Sequence, residues 1–203
     1  MPQFLVTARS ATHSSAGGKP LGDPARSWPI CSRCHGPLQY LATISVGEDG
    51  AAAAQGDKLL LLFQCQQHPG MCEEWSAASG GNAVLQADAD DALPLVPPGG
   101  LTYLPTRNPL SFVAIEEPAD ADRAADQYYQ ALAAPDRGVV GKAGGGPVWV
   151  QYDETPTCSC GRVMRFIAQL EETAAPGLNF GGGTAYVFRC DGCEAEARFL
   201  WQC

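Results

Sequence analysis

Eight of the nine cysteines in this 203-residue chain fall into two sets of four. In each set, two closely spaced cysteines precede the other two, at a distance of thirty residues in the first set and twenty-nine in the second. Two thiolate pairs joined by such a segment are the arrangement with which two zinc knuckles close on one tetrahedral Zn²⁺. The candidate ligands are Cys31, Cys34, Cys65 and Cys72 in the first set, and Cys158, Cys160, Cys190 and Cys193 in the second.

Four thiolates fill the coordination sphere of a zinc ion and leave no position for water or a substrate. Such a site contributes to folding and does not support hydrolysis. We therefore predict structural zinc, one or two ions per chain, as the cofactor. Two other interpretations of the cysteines remain open: reduced thiols buried as small apolar residues, or disulfides, which a reducing compartment disfavours.

The ligand set is ambiguous at one position. His68 follows Cys65 with the same spacing that separates Cys190 from Cys193, so His68 is an alternative to Cys72 as fourth ligand. We favour Cys72, because sulfur completes two matching sets. The second site has a tighter first pair, Cys158-x-Cys160, and Cys203 is left over as a free thiol.

The residues offer little for catalysis. The three histidines all lie in the first 68 residues, and we find no nucleophile elbow, phosphate-binding loop, dinucleotide fingerprint or H-E-x-x-H helix. We therefore predict that the protein is not an enzyme and assign no catalytic or cofactor-binding residue. An enzyme that uses a zinc or thiol site remains the alternative, and it would need an open metal position or a cysteine of low pKa.

The two halves of the chain share a repeated sequence pattern. The stretches GGKP and GGGP each precede the first cysteine of a set by ten residues, and FQC in the first half corresponds to FRC in the second. Apolar residues match at equal offsets after the second cysteine of each set: Leu38, Tyr40, Leu41, Ala42 and Ile44 correspond to Met164, Phe166, Ile167, Ala168 and Leu170. Agreement over such a length indicates two structural copies of one module.

The local patterns predict a mainly β (α+β) fold of two pseudo-symmetric β modules. Alternating or continuous apolar runs predict strands over 38–46, 58–65, 163–170, 184–190 and 199–201. We assign 1–86 to the first module, 87–140 to a connector and 141–203 to the second module, all within one compact domain. The connector carries one predicted helix, about 118–134, with Pro118 in its first turn and an apolar stripe of Ala121, Ala124, Ala125, Tyr128, Tyr129 and Leu132.

The net charge of the chain limits the kinds of partner that it can bind. The formal net charge is -9 and the basic residues are scattered, so no basic stripe is available for phosphates and we predict no nucleic-acid partner. An acidic surface favours a basic protein partner, although acidity also simply maintains solubility. The acidic groups are Asp88, Asp90 and Asp91; Glu116 and Glu117; Glu171 and Glu172; and Glu194 and Glu196.

The sequence also gives an expectation about location. The first residues, MPQFLVTARS, lack a cationic segment followed by an apolar one, which a secretory signal would have. The longest aliphatic run, residues 59–63, is far too short to cross a bilayer. We therefore predict a cytoplasmic protein with no membrane partner.

Several phrases together resemble the YwqG-like family, a bacterial domain of unknown function. They are GGGPVWVQ, CSCGRVMRFIAQL, GGGTAYVFRC, the final FLWQ, and FQCQQHPGMCEEW in the first half. The resemblance extends from about residue 14 to the end, and the phrase that begins at Cys72 resembles the way the family ends its first cysteine set. The spacing Cys158-x-Cys160 departs from the family pattern.

That family is similar to the eukaryotic programmed cell death protein 2 group, which also carries a duplicated module with cysteine pairs. The resemblance implies a β-rich, pseudo-two-fold protein that binds another protein. Members of the eukaryotic group act as chaperones of a ribosomal protein, and some bacterial relatives serve as immunity proteins beside interbacterial toxins. It implies no catalytic residues.

The expected function is therefore non-enzymatic protein binding. Our first hypothesis is an immunity protein, or antitoxin, that neutralises a basic nuclease-type toxin of an interbacterial secretion system. The alternative within the same class is a chaperone of a ribosomal protein. Both clients are basic, so the charge of this chain does not choose between them.

Overall fold

The computed structural model describes residues 1–47, 51–53, 55–100, 102–193 and 196–203. Glu194, named above among the acidic groups, lies outside them. The described residues form a mainly β protein with one α-helix, as predicted. The strands are β1 Gln3–Thr7, β2 Ser15–Ala16, β3 Leu21–Gly22, β4 Gln39–Val46, β5 Lys58–Gln64, β6 Asn82–Asp88, β7 Leu93–Pro94, β8 Asn108–Ala114, β9 Val139–Ala143, β10 Arg165–Glu171, β11 Thr184–Arg189 and β12 Ala197–Gln202; the helix is α1 Ala121–Leu132.

Ten strands form one large sheet. Its order is β12-β11-β10-β9-β1-β8-β2-β4-β5-β6, and the neighbours for which a register is defined run antiparallel. Strands β3 and β7 form a separate two-stranded ribbon. The three strands of the first half that follow its knuckle lie at one end of the sheet, and β10, β11 and β12 lie at the other. The N-terminal strand β1 lies between β8 and β9, so residues far apart in sequence meet at the centre.

The two ends of the sheet approach each other. The backbone N–H of Trp201, on β12, donates to the carbonyl oxygen of Trp75 at 3.2 Å, and the two indole rings meet edge to face with centroids 6.3 Å apart. Val84 of β6 and Ala197 of β12 pack against the same central core. The sheet is therefore nearly closed around that core.

Both faces of the inner strands are buried, which explains why their sequences are apolar runs rather than alternations. On β5, Leu60 and Leu62 point into the central core. Leu59, Leu61 and Phe63 point to the other face, where they pack with the cysteines of the first set. A smaller cluster of the same kind, including Phe166 and Phe188, surrounds the second set. Each cysteine set thus has its own apolar base on the sheet.

Matching irregularities occur at matching positions of the two halves. The pairing of β4 with β5 shifts between Tyr40 and Ala42, and that of β10 with β11 shifts between Phe166 and Ala168. In the first half the N–H of Gly17 donates to Leu41 at 2.7 Å, and in the second half the N–H of Gly144 donates to Ile167 at 3.0 Å. Each glycine turn therefore hydrogen-bonds to the carbonyl group inside a β-bulge, which the bulge leaves free of its normal ladder partner.

The helix begins later than the sequence predicts. Asp120 is extended and caps α1 by accepting from the N–H of Arg123 at 3.0 Å, so Pro118 lies outside the helix and the prediction that it occupies the first turn is wrong. The apolar stripe is also narrower than predicted. Tyr128 and Ala131 are buried against Phe4, whereas Tyr129 is 46% exposed and Ala121 is exposed.

The region predicted as a connector, 87–140, does more than link two modules. It supplies β8 at the centre of the sheet, as well as the start of β9. Short strands at 3–7, 82–88 and 108–114 were not predicted, because their mixed apolar and polar residues lack a clear period. Within the described residues, no helix is long and apolar enough to cross a membrane.

The close packing around β9 can be tested by a substitution at Gly141. A Cβ atom added at Gly141 would lie 2.2 Å from the carbonyl oxygen of Gln169 on β10. We expect Gly141→Ala to lower the free energy of unfolding by about 1–3 kcal/mol, because backbone must move. Gly99→Ala is the control, since nothing lies within 4 Å of its added Cβ. Urea denaturation of both variants measures the difference, and equal stability of the two would contradict the described packing of β9 between β1 and β10.

Candidate metal centres

The first cysteine set forms a compact sulfur cluster beneath β4 and β5. The sulfur atoms of Cys31, Cys34, Cys65 and Cys72 all lie within 4.8 Å of one another. The sulfur atoms of Cys34 and Cys65 are 3.6 Å apart. Three of the four residues are buried, and Cys34 is intermediate. The structure therefore brings together all four residues that the spacing singles out.

The second set forms a similar but more open cluster. Its four sulfur atoms also lie within 4.8 Å of one another, and those of Cys160 and Cys190 are 3.7 Å apart. Cys158 and Cys190 are buried, Cys193 is intermediate and Cys160 is exposed. The tighter Cys158-x-Cys160 spacing therefore does not prevent convergence.

Hydrogen bonds explain how the two spacings give the same knuckle. In the first, the N–H of His35 donates to the carbonyl oxygen of Cys31 at 2.9 Å, and in the second, the N–H of Gly161 donates to Cys158 at the same distance. Both donors have a left-handed backbone, with φ of 60° and 85°. The second turn is simply one residue shorter. In the first turn the left-handed residue is His35 and not the glycine that follows it, Gly36.

Buried Glu74 positions the fourth cysteine of the first set. Its carboxylate accepts from the backbone N–H of Cys72 at 3.3 Å and from that of Gly70, and Glu74 is 1% exposed. Charge-assisted hydrogen bonds of this kind are stronger than neutral ones and fix the loop. His68 is exposed and lies outside the sulfur cluster. The geometry therefore favours Cys72 over His68, although ligation itself stays a prediction.

Contacts across the first centre tie the knuckle to the loop that carries Cys72. Arg33 and Glu73 form an ion pair at 2.5 Å. The hydroxyl group of Ser32 donates to the carbonyl oxygen of Ser79 at 2.8 Å, and the backbone N–H of Ser32 donates to Gly80 at 3.0 Å. The ion pair is half exposed and contributes little by itself. The loop therefore depends mainly on backbone contacts and on the sulfur cluster.

The thiols of the two clusters differ in their pKa values. The backbone N–H of Cys160 is the main reason that the pKa of the Cys158 thiol is lowered to about 7. Hydrogen bonding with the Cys160 thiol is the main reason that the pKa of Cys193 is raised to about 12. Burial similarly raises the pKa of Cys72. Four crowded thiols cannot all ionise without a cation between them, and a bound metal ion displaces the protons.

The sulfur spacing fits a tetrahedral metal ion. A zinc–sulfur bond length of about 2.3 Å implies sulfur–sulfur edges of about 3.8 Å in a regular tetrahedron. The distances of 3.6 Å between Cys34 and Cys65 and of 3.7 Å between Cys160 and Cys190 agree with this edge. The described residues thus contain two cysteine tetrads that are able to hold metal ions. Four thiolates in this geometry are consistent with structural zinc.

Of two further features of the chain, the sequence predicts the first, a free thiol at Cys203, but not the second, a buried lysine. Cys203 is exposed and lies beside Gly181 rather than in a tetrad, as expected for a free thiol. Lys142, on β9, is almost completely buried and pairs with Glu117. Nothing in the local sequence distinguishes this lysine from a surface residue, because its burial follows from the position of β9 inside the sheet.

Comparison with known proteins assigns the chain to no family. No family model matches the chain. A stretch of 55 residues, 27% of this chain, is 38% identical to the uncharacterized protein YpfL of Salmonella typhimurium. The matched stretch spans only 13% of that relative's length. This similarity is too short to assign a family.

Metal content tests the ligand assignment. We expect the purified protein to carry two zinc ions per chain, one for each tetrad. Cys65→Ser and Cys190→Ser should each lose one of the two ions, because a serine hydroxyl group is a poor substitute for thiolate. Atomic emission on protein purified without chelator measures the content. His68→Ala and Cys203→Ser are the controls, and loss of zinc in His68→Ala with retention in Cys72→Ser would reverse the assignment.

Exposure predicts which centre releases its ion first. The second tetrad includes exposed Cys160, whereas its counterpart Cys34 in the first tetrad is intermediate. We expect a chelator to remove zinc faster from the second tetrad, because ligand exchange needs access to the sulfur atoms. The rate is measured with a chromogenic chelator on the Cys65→Ser and Cys190→Ser variants, which each retain one tetrad. Faster release from Cys190→Ser would contradict this expectation.

Proposed function

We propose that the protein is a non-enzymatic protein-binding protein whose scaffold is held by two structural zinc ions. The observation that carries the proposal is that both cysteine sets are complete tetrads within 4.8 Å. A zinc ion bound by four thiolates has no vacant position for water or a substrate. The clusters thus support a scaffold role better than a catalytic one.

The scaffold is proposed to be a duplicated module. Three observations support it: equal sequence offsets, β-bulges at Tyr40/Ala42 and Phe166/Ala168, and glycine turns that hydrogen-bond into both bulges. The strand order also supports a duplication, because β6, β5 and β4 at one end of the sheet mirror β12, β11 and β10 at the other. Two copies joined in this way offer a broad surface from a small chain.

A basic client is favoured by the acidic side chains that remain free to face it. Not all of the acidic groups named from sequence do so. Glu172 accepts from the backbone N–H groups of Phe180 at 2.5 Å and Gly182 at 2.9 Å. Burial raises the pKa of Glu171, which accepts from Tyr128 and Thr184. These carboxylates hold the fold together.

Other acidic groups are on the surface. Asp90 and Asp91 are exposed beside the β3–β7 ribbon, close in sequence to Leu93, which is 55% exposed, and Val96, which is 89% exposed. Asp122 and Asp126 are exposed on α1, and Asp122 is in its first turn. Acidic groups beside exposed apolar ones are a combination that suits binding of a basic protein.

The client that we propose is a basic nuclease-type toxin of an interbacterial secretion system, which the protein would neutralise as its immunity protein in the cytoplasm. Neutralisation would occur by covering the toxin's active site, and it requires no chemistry from this chain. A ribosomal protein client satisfies the same charge argument. The two clients are distinguished by what the protein binds in cells.

Affinity capture of the tagged protein from its native cells tests the proposal. We expect one basic protein at equal stoichiometry, with zinc retained in the eluate. Purified client should then rebind with an affinity that falls as salt rises, because opposite charges are screened. Recovery of a toxin whose activity is inhibited supports the immunity role, and recovery of a ribosomal protein supports the chaperone role. The absence of any stoichiometric protein partner would overturn the proposal.

Variants of the exposed acidic residues test which surface binds the client. Asp90→Asn combined with Asp91→Asn should weaken rebinding of the purified client without affecting zinc content, because both side chains are exposed and distant in sequence from the tetrads. Asp136→Asn is the control, since this exposed carboxylate lies in the turn that follows α1 and outside the β3–β7 ribbon. Equal affinity of the double variant and the control would remove the β3–β7 ribbon from the client surface.

A further inference from the structure

A cleft of about 360 Å³ lies between α1 and the segment that follows β9. On one side it is lined by Ala121, Ala124 and Tyr129 of the helix. On the other side it is lined by Val148 and Trp149. Neither tetrad contributes a residue to the lining of this cleft.

A shielded ion pair forms part of the cleft. The ammonium group of Lys142 donates to the carboxylate of Glu117. The side chain of Lys142 is 2% exposed, whereas that of Glu117 is 14% exposed. The carboxylate is therefore the half of the pair that is open to the cleft. Its second oxygen lies beside Gly145, where an added Cβ atom would come within 2.2 Å of it.

Aromatic rings border the same space. Tyr129 lines the cleft and is 46% exposed, so its ring is accessible to a ligand that enters the cleft. Trp149 has its ring centroid 4.5 Å from that of Tyr186. The hydroxyl group of Tyr186 donates to the carbonyl oxygen of Val148 at 3.0 Å and accepts from the N–H of Val150 at 2.9 Å. These bonds fix the segment that carries Trp149, so this aromatic wall is preorganised.

The surrounding charge is negative. Residues 116–126 contain five acidic side chains and one basic side chain, Arg123. Asp120 caps the helix and Asp122 lies in its first turn, so the positive end of the helix dipole is already offset. A ligand that enters between Tyr129 and Trp149 thus meets aromatic rings and a partly exposed carboxylate. This combination attracts cations and repels anions.

We propose that this cleft binds a guanidinium or alkylammonium group, with the cation over the aromatic rings and paired to Glu117. The planar guanidinium group fits best, because it can stack on a ring and donate to a carboxylate at the same time. The cation is an arginine side chain of a basic client if the proposed function is correct. A free guanidinium compound would satisfy the same chemistry.

Titration with N-acetyl-arginine amide tests the cleft without any client. We expect saturable changes in the NMR signal of the Trp149 indole N–H, with an affinity that falls as salt rises. N-acetyl-citrulline amide is the matched probe, because it has nearly the same shape without the charge. Equal binding of the two probes, or no binding of the arginine probe, would overturn the proposal.

Variants separate the aromatic and charged contributions. Tyr129→Leu should weaken binding of the arginine probe about tenfold, whereas Tyr129→Phe should retain it, because the ring face is kept. Glu117→Gln combined with Lys142→Met removes the carboxylate without leaving a buried ammonium group unpaired, and it should abolish binding. Asp23→Asn is the control, since this acidic residue lies outside residues 116–126 and does not line the cleft. Unchanged binding in Tyr129→Leu would contradict the assigned geometry.

The failure of this inference is distinguishable from that of the proposed function. If the arginine probe binds while no client is captured, the cleft is a small-cation site and the client proposal fails alone. If a client is captured and binds the Tyr129→Leu and Glu117→Gln/Lys142→Met variants normally, but the arginine probe does not bind, the cleft inference fails alone.

Discussion

The structure depends on bringing four sulfur atoms to one point at each of two places. In the first half, a knuckle before β4 meets the loop after β5, and these two segments have few apolar residues with which to hold each other. Burial of reduced thiols stabilises such a contact only modestly, and crowded thiolates repel one another. A divalent cation reverses that repulsion and makes the contact strongly favourable. A metal ion held in this way would fix the hairpin ends relative to the sheet.

The sheet itself is organised around residues that are distant in sequence. Strand β1 lies between β8 and β9, so the centre cannot form before most of the chain is present. Its core is continuous from Leu5 to Phe199 and includes both halves. The two halves therefore share one core, and they are joined by strands rather than by a flexible linker. Local order at the tetrads and long-range order at the sheet thus have separate physical origins.

Charge is divided between the interior and the surface. Glu117, Glu171 and Glu172 are used internally, either with Lys142 or with backbone and hydroxyl donors. A buried ion pair costs desolvation energy and is weak support for stability. The pair formed by Lys142 and Glu117 is therefore better explained by the cleft it borders than by a stabilising role. Asp90, Asp91, Asp122 and Asp126 are exposed, where they influence association.

The cysteine spacings and the repeated apolar offsets were enough to predict the mainly β fold, most of the inner strands and both tetrads. These features are local or periodic, because a knuckle needs only a tight turn and a buried strand needs only a short apolar run. The start of the helix was missed by three residues, since α1 begins at Ala121, after its cap Asp120, rather than at Pro118. The sequence determined which groups can bind a metal ion and that the chain is acidic. Only the tertiary structure decided the strand order, the burial of Lys142 and the choice of acidic groups left at the surface, because these depend on contacts between segments whose pairing no local pattern specifies.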